Sequence, residues 1–267
     1  MKNRFGGILQ RIGYTIERFD QKPLHRVLIS YGRSGTHWLK NMVSAALDRP
    51  PIEGGTWELD TLAAIMKGSG RRRLMYEHFQ FDLHGEILDP AKNPDLRMVL
   101  LHRHPLDQFI SATWHRIKIT GELTEFDPET HPNEIARRLL LGEYDEKLGY
   151  CYRDAHLDTH KRGALDWIDS GRCLVVKFED LVENTEAELA RCLDHLEVRY
   201  DPASLAGIVE KNRFEKLSGG RKPGEMDGTH HYRRGAPGEW RSVFRPEDLP
   251  ILQERYGEAF ARQGYPI

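Results

Sequence analysis

The chain has 267 residues, of which 39% are hydrophobic and 30% charged, and its formal net charge at pH 7 is −2. This length fits one large α/β domain or at most two small ones, and the composition argues against a disordered chain. The balanced charge gives no overall indication of a nucleic-acid-binding or polybasic membrane-binding protein. No stretch approaches the ~20 apolar residues of a membrane span, so a cytoplasmic location is expected. Cys151, Cys173 and Cys192 lack metal-ligand spacing and are predicted to be free thiols.

The first 22 residues are predicted to be an N-terminal extension ahead of a single domain over residues 23–267. Basic residues occur in the extension, but glycines interrupt its apolar residues, so a signal peptide is not indicated. Ile8, Leu9, Ile12 and Ile16 would share one face of a weak amphipathic helix. Packing of that helix against the domain is the favoured interpretation, and contact with a membrane surface is the alternative.

The domain begins with a predicted strand, a glycine-bracketed polar loop and a helix. Val27–Ile29 is a short apolar run typical of a buried strand, and residues 38–47 have helical spacing. The loop between them contains Gly32, Arg33, Ser34, Gly35, Thr36 and His37. Such a loop directs backbone N–H groups and the positive end of a helix dipole toward one point, which suits a phosphate. The alternative is a strand, a turn and a helix that bind no ligand.

The loop lacks the spacing of a nucleoside-triphosphate P-loop, which needs four residues between its glycines and then Lys-Ser or Lys-Thr. Gly32 and Gly35 are only three positions apart, and no Lys-Ser or Lys-Thr follows. The run from Arg33 to Trp38 instead resembles the 5′-phosphosulfate-binding loop of the sulfotransferases that use 3′-phosphoadenylyl sulfate (PAPS). Their pattern is Lys/Arg-Ser-Gly-Thr-x-Trp, and Arg33 stands where Lys is commoner.

A predicted helix over residues 59–66 is followed by a predicted short strand over 76–79. In the resembling family, the strand after the first helix ends in a histidine that acts as the catalytic base. His78 lies at the corresponding place. Glu77 is the competing candidate for the base.

The second signature lies over residues 96–117. Met98–Leu101 is predicted to be a buried strand, and Pro105 is a favourable first residue for the helix that follows. Arg103, Pro105, Asp107 and Ser111 match the family's 3′-phosphate-binding segment in residue type and interval. A guanidinium at a strand end presents fork-shaped donors to a phosphate, and Ser111 lies two helical turns further on. The alternative for Arg103 is a surface ion pair with Asp107.

The middle of the chain supplies helices, a strand and two aromatic candidates. Further helices are predicted over residues 134–141, 153–168, 185–196, 202–212 and 247–263. A strand over 173–178 and the following Glu-Asp-Leu resemble another sulfotransferase feature. Phe178 stands where the family usually has a tyrosine near the adenine. Phe214 matches a phenylalanine that packs on the adenine, and its alternative is a plain core position.

Residues 218–244 are polar and glycine-rich, and out of context they are typical of a flexible linker. Within them, Arg233, Arg234 and Gly235, followed by Gly238, Glu239 and Trp240, resemble the family's C-terminal element, Arg-Lys/Arg-Gly-x-x-Gly-Asp/Glu-Trp. Two adjacent cations and a glycine amide can close over a 3′-phosphate while the tryptophan anchors the loop.

The resemblance implies an α/β fold with a P-loop-like, doubly wound parallel sheet flanked by helices. It also implies PAPS as the sulfuryl donor, adenosine 3′,5′-bisphosphate (PAP) as the product, and a hydroxyl or amine as the acceptor, without a metal. Arg33 and the backbone amides of residues 34–37 would stabilise the leaving phosphate, and His78 would take the acceptor proton. Because Arg33 stays charged, it can hydrogen-bond to the leaving oxygen but cannot donate a proton to it. The usual pattern has no histidine at position 37. Compensation by His37 for the missing proton donor is the alternative, and a helix N-terminal residue without a catalytic role is the favoured interpretation.

The predicted catalytic residues are therefore His78 and Arg33, and no metal ligand is predicted. Trp38 and Phe214 are expected to stack on the adenine. The predicted nucleotide-binding residues are Arg33, Ser34, Gly35, Thr36, His37, Trp38, Arg103, Ser111, Phe178, Phe214, Arg233, Arg234 and Gly235.

Two other functions and the identity of the acceptor remain open at this stage. A nucleotide kinase would share the doubly wound sheet, and a non-catalytic PAP-binding protein would keep the phosphate loops. Residues 48–75 and 118–150 are expected to form an acceptor pocket for a small molecule, a lipid or a sugar, because loops over the carboxyl ends of strands usually select substrates. A homo-oligomer is an open possibility, although the dimer motif of the cytosolic animal enzymes is not found in residues 241–248.

Overall fold

The computed structural model describes residues 21–52, 58–69, 71–121, 125–127, 129–144 and 155–267. The predicted helix of the N-terminal extension and Cys151 lie outside these residues. The other two cysteines, Cys173 and Cys192, are free thiols as predicted. None of the helices within the described ranges is both long enough and apolar enough to cross a membrane.

A parallel sheet lies at the centre of the fold. Its strands are β1 His25–Ser30, β2 Leu74–Glu77, β3 Leu96–His102 and β4 Leu174–Lys177. They pair in the order β2-β1-β3-β4, and every pair is parallel. The chain runs outward from β1 to β2 and then returns past β1 to β3. This arrangement confirms the predicted α/β fold class.

The helices are numbered in chain order. They are α1 Thr36–Ala46, α2 Leu59–Ala64, α3 Phe81–His84, α4 Pro105–Lys118, α5 Pro132–Leu141, α6 Ala155–Ser170, α7 Phe178–Glu183, α8 Thr185–His195, α9 Pro202–Lys211, α10 Phe214–Leu217, α11 Trp240–Val243 and α12 Leu249–Arg262. A π-helical turn, Ile65–Ser69, continues α2, and a 3₁₀ turn, Pro246–Asp248, precedes α12.

Helices cover both faces of the sheet, which explains the continuous apolar runs of the strands. Successive residues of β1 point to opposite faces: Leu28 packs in a cluster that includes residues of α1 and α8, whereas Val27 and Ile29 pack in one that includes Leu62 of α2. A third cluster joins α4, α5, α11 and α12. The C-terminal part of the chain is thereby fixed against α4, whose first turn lies at the carboxyl end of β3.

Two predicted strands end earlier than expected. The predicted strand over residues 76–79 is observed as β2, which ends at Glu77 because its last partner in β1 is Ile29. The predicted strand over 173–178 is observed as β4, which ends at Lys177, and Phe178 opens α7 instead. The two candidate residues His78 and Phe178 therefore lie just beyond the ends of β2 and β4, at the carboxyl edge of the sheet.

Candidate functional site

The predicted motifs meet where the carboxyl ends of β1 and β3 lie side by side. The chain leaves these two neighbouring strands in opposite directions along the sheet, which creates a crevice between their ends. The loop Gly32–Gly35 follows β1, and Arg103 follows β3. The C-terminal motif closes over the same edge, because an Nη of Arg33 donates to the backbone carbonyl of His231 at 2.8 Å. The result is a cleft of about 780 Å³, measured out to its open mouth.

The loop between β1 and α1 is held in a tight turn. Arg33 and Gly35 have φ angles of 71° and 96°, a left-handed conformation that costs a residue with a side chain ~1–2 kcal/mol. At Gly35 an added Cβ would lie 2.7 Å from the ring of Phe178, so glycine is required there. Thr36 opens α1, and its hydroxyl lies 2.6 Å from that of Ser30. The start of α1 is thus attached firmly to the end of β1.

Four arginines, Arg33, Arg103, Arg233 and Arg234, bring positive charge into the cleft. Burial, together with the neighbouring guanidinium groups of Arg103 and Arg233, lowers the pKa of Arg33 to about 10. Burial also lowers the pKa of Arg103, although Asp107 and Glu179 oppose this change. These pKa values reflect cations that are held close together and partly out of water. A bound anion would offset the cost of that arrangement.

Several guanidinium N–H groups of the cleft residues have no hydrogen-bond partner among the residues that the structure describes. They are Nε of Arg103, Nε of Arg233 and Nη1 of Arg234. Buried donors are normally paired, and a missing partner costs ~1–3 kcal/mol. A phosphate carries negative charge and accepts several hydrogen bonds, so it fits this set of donors.

Arg233 is only partly available to such an anion. Its guanidinium forms a two-pronged ion pair with Glu239, in which Nη1 donates to Oε1 at 2.8 Å and Nη2 donates to Oε2. Both side chains are 5% exposed. Burial acts to raise the pKa of Glu239, but the hydrogen-bonded Arg233, together with Arg234 and Arg103, holds that pKa below its usual value. Glu239 therefore stays ionised and fixes Arg233 in place.

Asp107 connects the second motif to the third. Its carboxylate is completely buried and accepts the backbone N–H groups of Gly238 at 2.5 Å and Trp240 at 2.8 Å. It also lies 3.6 Å from the guanidinium of Arg103. The alternative interpretation of Arg103 as an ion-pair partner of Asp107 is thus observed, but the pair is buried rather than on the surface. One carboxylate orients Arg103 and anchors the C-terminal motif.

The opposite wall of the cleft is aromatic. Trp38 and Phe178 meet edge to face with ring centroids 6.1 Å apart, and Phe214 lines the same cleft. The indole N–H of Trp38 donates to the carbonyl of Asn212 at 2.7 Å, which fixes the ring. At Gly235 φ is +67°, and an added Cβ would lie 2.1 Å from the ring of Phe214. This wall can accept a flat base, since every base presents a π face.

His78 lies beside the cleft rather than in its lining. Its Nδ1 is hydrogen-bonded to the carbonyl of Ser30, the last residue of β1. A carbonyl can only accept, so Nδ1 carries a proton, and in the neutral ring the lone pair is then on Nε2. The carboxylate of Glu77 accepts the backbone N–H of His78 at 2.9 Å. The backbone carbonyl of Phe79, the residue after His78, accepts hydrogen bonds from the side chains of Tyr31 and Trp167. These bonds hold the segment that carries His78 in position.

The structure brings together all of the predicted nucleotide-binding residues except Ser34. The side chain of Ser34 is buried, and its backbone N–H donates to the carbonyl of Tyr31 at 3.1 Å. Three further residues line the cleft that the sequence reasoning missed: Leu217, His231 and Tyr232. The position of the last two, directly before the Arg-Arg-Gly run, was the available signal.

Arg221 is a fourth residue that the sequence reasoning missed. Its guanidinium donates to the carbonyls of Tyr232 at 2.6 Å and Arg233 at 2.7 Å, and it lies 5.4 Å from the ring centre of Phe214. Arg221 therefore holds in place the backbone segment that carries Arg233 and Arg234. A single arginine in a glycine-rich segment gives no local sequence signal for this role.

The described ranges contain no group of three or more His, Cys, Asp or Glu side chains arranged to hold a metal ion. The structural features of the cleft are thus its cations, its aromatic wall and the adjacent imidazole.

A family model described as the sulfotransferase domain matches residues 23–264 of the chain. Cytosolic sulfotransferase 12 of Arabidopsis thaliana is 26% identical, over 96% of this chain and 83% of its own length. The flavonol 3-sulfotransferase of Flaveria bidentis is 22% identical, over 93% and 85%. The 3-alpha-hydroxysteroid sulfotransferase of Cavia porcellus is also 22% identical, over 94% and 88%.

Two solved structures have a similar fold. A mouse sulfotransferase complexed with PAP has a TM-score of 0.57 and 16% identity, and the match covers 92% of this chain and 90% of that one. A retinol dehydratase in complex with androsterone and PAP has a TM-score of 0.58 and 16% identity, with 94% and 84% covered.

Proposed function

The chain belongs to the sulfotransferase domain family, and we propose that it transfers a sulfuryl group from PAPS to a hydroxyl or amine of an acceptor. The observation that carries this proposal is the set of unpaired guanidinium N–H groups opposite an aromatic wall in one cleft. A donor with phosphate groups and a flat base suits both halves of such a site. PAPS would supply the activated sulfuryl group.

Two groups of residues would hold the two ends of the donor. Arg33, Thr36 and the amides at the start of α1 would bind the 5′-phosphosulfate, where the helix dipole also favours an anion. Arg103, Ser111, Arg233, Arg234 and the Gly235 amide would bind the 3′-phosphate. The aromatic side chains Trp38, Phe178 and Phe214 would enclose the adenine. Recognition of the 3′-phosphate would distinguish PAPS from ATP.

His78 would act as the general base. The hydrogen bond from Nδ1–H to the Ser30 carbonyl leaves Nε2 able to accept the proton of the acceptor. Glu77 is less suited to this role, because its carboxylate is turned back onto the N–H of His78. Arg33 would stabilise the charge that develops on the leaving phosphate, and it would do so as a permanent cation.

The acceptor is proposed only as a class: a small molecule, a lipid or a carbohydrate with a free hydroxyl or amine. The names of two relatives refer to flavonols and hydroxysteroids, so phenols and sterols are the first acceptors to screen. The cytoplasmic location, the domain limits at 23 and 267 and a homo-oligomeric state stay predictions.

A calorimetric titration tests the donor site. We expect PAP to bind without metal, and ATP–Mg²⁺ and AMP to bind far more weakly. Arg103→Ala or Arg234→Ala should weaken PAP binding by on the order of 10²-fold, since each removes charge-assisted hydrogen bonds. Arg262→Ala, which removes an exposed arginine paired with Asp169, is the matched control and should leave PAP affinity unchanged. Mg²⁺-dependent ATP binding without PAP binding would favour the kinase alternative.

The second experiment measures sulfuryl transfer from labelled PAPS. His78→Ala should lower kcat by on the order of 10²-fold or more while PAP affinity stays near wild type. Glu77→Gln should retain most of the activity. A fully active His78→Ala variant would remove the assigned base, and PAP binding without transfer to any acceptor would favour a non-catalytic PAP-binding protein.

A further inference from the structure

A group of histidines lies in the cleft that Arg33 also lines. The rings of His37 and His231 meet edge to face with centroids 4.9 Å apart, and both residues line the cleft. His115 of α4 lies beyond them, with its ring centroid 6.4 Å from that of His231. The backbone carbonyl of His231 accepts from Arg33, so the position of this pair is tied to that cation. The pair comes from two distant segments, the start of α1 and the C-terminal motif.

The surroundings of the pair disfavour extra positive charge. Among the described residues, the charged and titratable groups around His231 include Arg33, His37, His115, the adjacent His230 and Tyr232. The rings of Tyr76 and Tyr232 pack against the two imidazoles. Partial burial and these neighbours, Arg33 first among them, lower the pKa of His231. Without an anion, a proton on the pair would add a cation beside a permanent one.

We propose that His37 and His231 form a proton-linked part of the anion site, which is neutral in the free protein and takes up a proton when a phosphate or phosphosulfate binds beside Arg33. This inference rests on the proposed function, because it takes the 5′ end of the donor to lie at the start of α1. A bound anion reverses the local charge balance and favours the imidazolium form. A protonated imidazole then donates N–H hydrogen bonds to the anion in addition to those from Arg33.

The pair also supplies a property that Arg33 lacks. An arginine keeps its proton under all conditions relevant to a protein, whereas an imidazolium exchanges its proton near neutral pH. A proton held beside the leaving phosphate would strengthen its hydrogen bonds as negative charge develops there. The replacement of the commoner Lys by Arg at position 33 is then accompanied by two groups that can carry a mobile proton.

Calorimetry of PAP binding in buffers with different ionisation enthalpies measures the protons taken up. For the wild-type chain at pH 7 we expect about one more proton taken up per PAP than for the His37→Gln/His231→Gln variant. Wild-type affinity should also fall with rising pH by up to about tenfold per unit more steeply than that of the variant. Titration of the phosphates of PAP is common to both proteins and cancels in the comparison. His131→Asn, which removes an exposed imidazole but keeps a favourable helix cap, is the control.

The outcomes separate this inference from the proposed function. If wild type binds PAP but the double variant takes up as many protons, the histidine pair has no such role. If wild type does not bind PAP at all, the proposed function itself fails. NMR of the imidazole C2 protons gives a second test on the unaltered chain: the pKa of His231 should rise when PAP is added, and an unchanged pKa would overturn the inference.

Discussion

Asp107 offers a sharp test of how the cleft is assembled, through the substitution Asp107→Asn. The side chain is completely buried, and its two carboxylate oxygens accept the N–H groups of Gly238 and Trp240. Asparagine has nearly the same shape but offers one acceptor oxygen and one NH₂ group. One of the two backbone donors would then face another donor, and Arg103 would lose its nearest negative charge.

The magnitude follows from these contacts. A hydrogen bond to a charged group contributes ~1.5–3 kcal/mol, and removal of one partner of a buried ion pair costs ~3–5 kcal/mol. Arg103 lies 3.6 Å from Asp107 and keeps hydrogen bonds to two backbone carbonyls. The loss of this ion pair should therefore cost an amount at the low end of the second range. We therefore expect the free energy of unfolding to fall by about 4.5–6 kcal/mol.

Urea unfolding followed by tryptophan fluorescence and far-UV circular dichroism measures this change. Asp201→Asn is the matched control: Asp201 caps α9 through the N–H of Ala203, and Asn serves as well at such a position, so the change should be within ~0.5 kcal/mol. A loss below about 1 kcal/mol for Asp107→Asn would mean that this carboxylate does not join the two motifs.

Three more predictions concern the cleft and its supports. Gly235→Ala should lower PAP affinity by on the order of tenfold or more, because the added Cβ would lie 2.1 Å from an aromatic ring. Gly171→Ala, with a similar positive φ but open space around it, should not change PAP affinity in the same titration. Arg221→Lys should weaken PAP binding by about tenfold, because a lysine cannot donate to two carbonyls in the fork geometry; hydrogen exchange of residues 232–234 should rise in parallel. Burial lowers the pKa of His102 and His104 to about 4, from 6.5, so the unfolded chain binds more protons between these values. The free energy of unfolding should therefore fall by on the order of 3 kcal/mol per histidine as pH drops from 6.5 to 4, and a flat urea-unfolding profile over this range would contradict the burial argument.

The parts of the site that could be predicted from the sequence are those with a local signal. The strand, loop and helix around Gly35 show a change of hydrophobic period within a few residues. Pro105, which comes shortly after a predicted strand, marks the start of a helix. The predicted helix after the loop began at residue 38, whereas α1 begins at Thr36, because the polar first turn lacks apolar periodicity. The positions of Arg33 and Arg103 followed directly from these local elements.

The contacts that decide what each charged residue does could not be predicted. In the sequence Glu239 appeared only as a member of the C-terminal motif, yet it accepts two of the five N–H donors of Arg233. Ser34 lies within the phosphate-loop motif, yet its amide is used by a turn. Arg221 had no motif at all. In each case the outcome depends on which of several nearby groups lies closest in space, and residue spacing does not encode this.

The arrangement of Asp107 has a consequence for how binding and folding are coupled. Arg103 belongs to the strand–helix unit of β3 and α4, whereas Arg233 and Arg234 belong to a glycine-rich segment far along the chain. The two halves are joined by a carboxylate that is itself next to the cations, so the contact that orders the segment also reduces its electrostatic cost. Guanidinium N–H groups without a hydrogen-bond partner within the described residues are found in both halves. A ligand that contacts both halves should bind only when the C-terminal segment is in place. Its binding should therefore stabilise the ordered form of that segment.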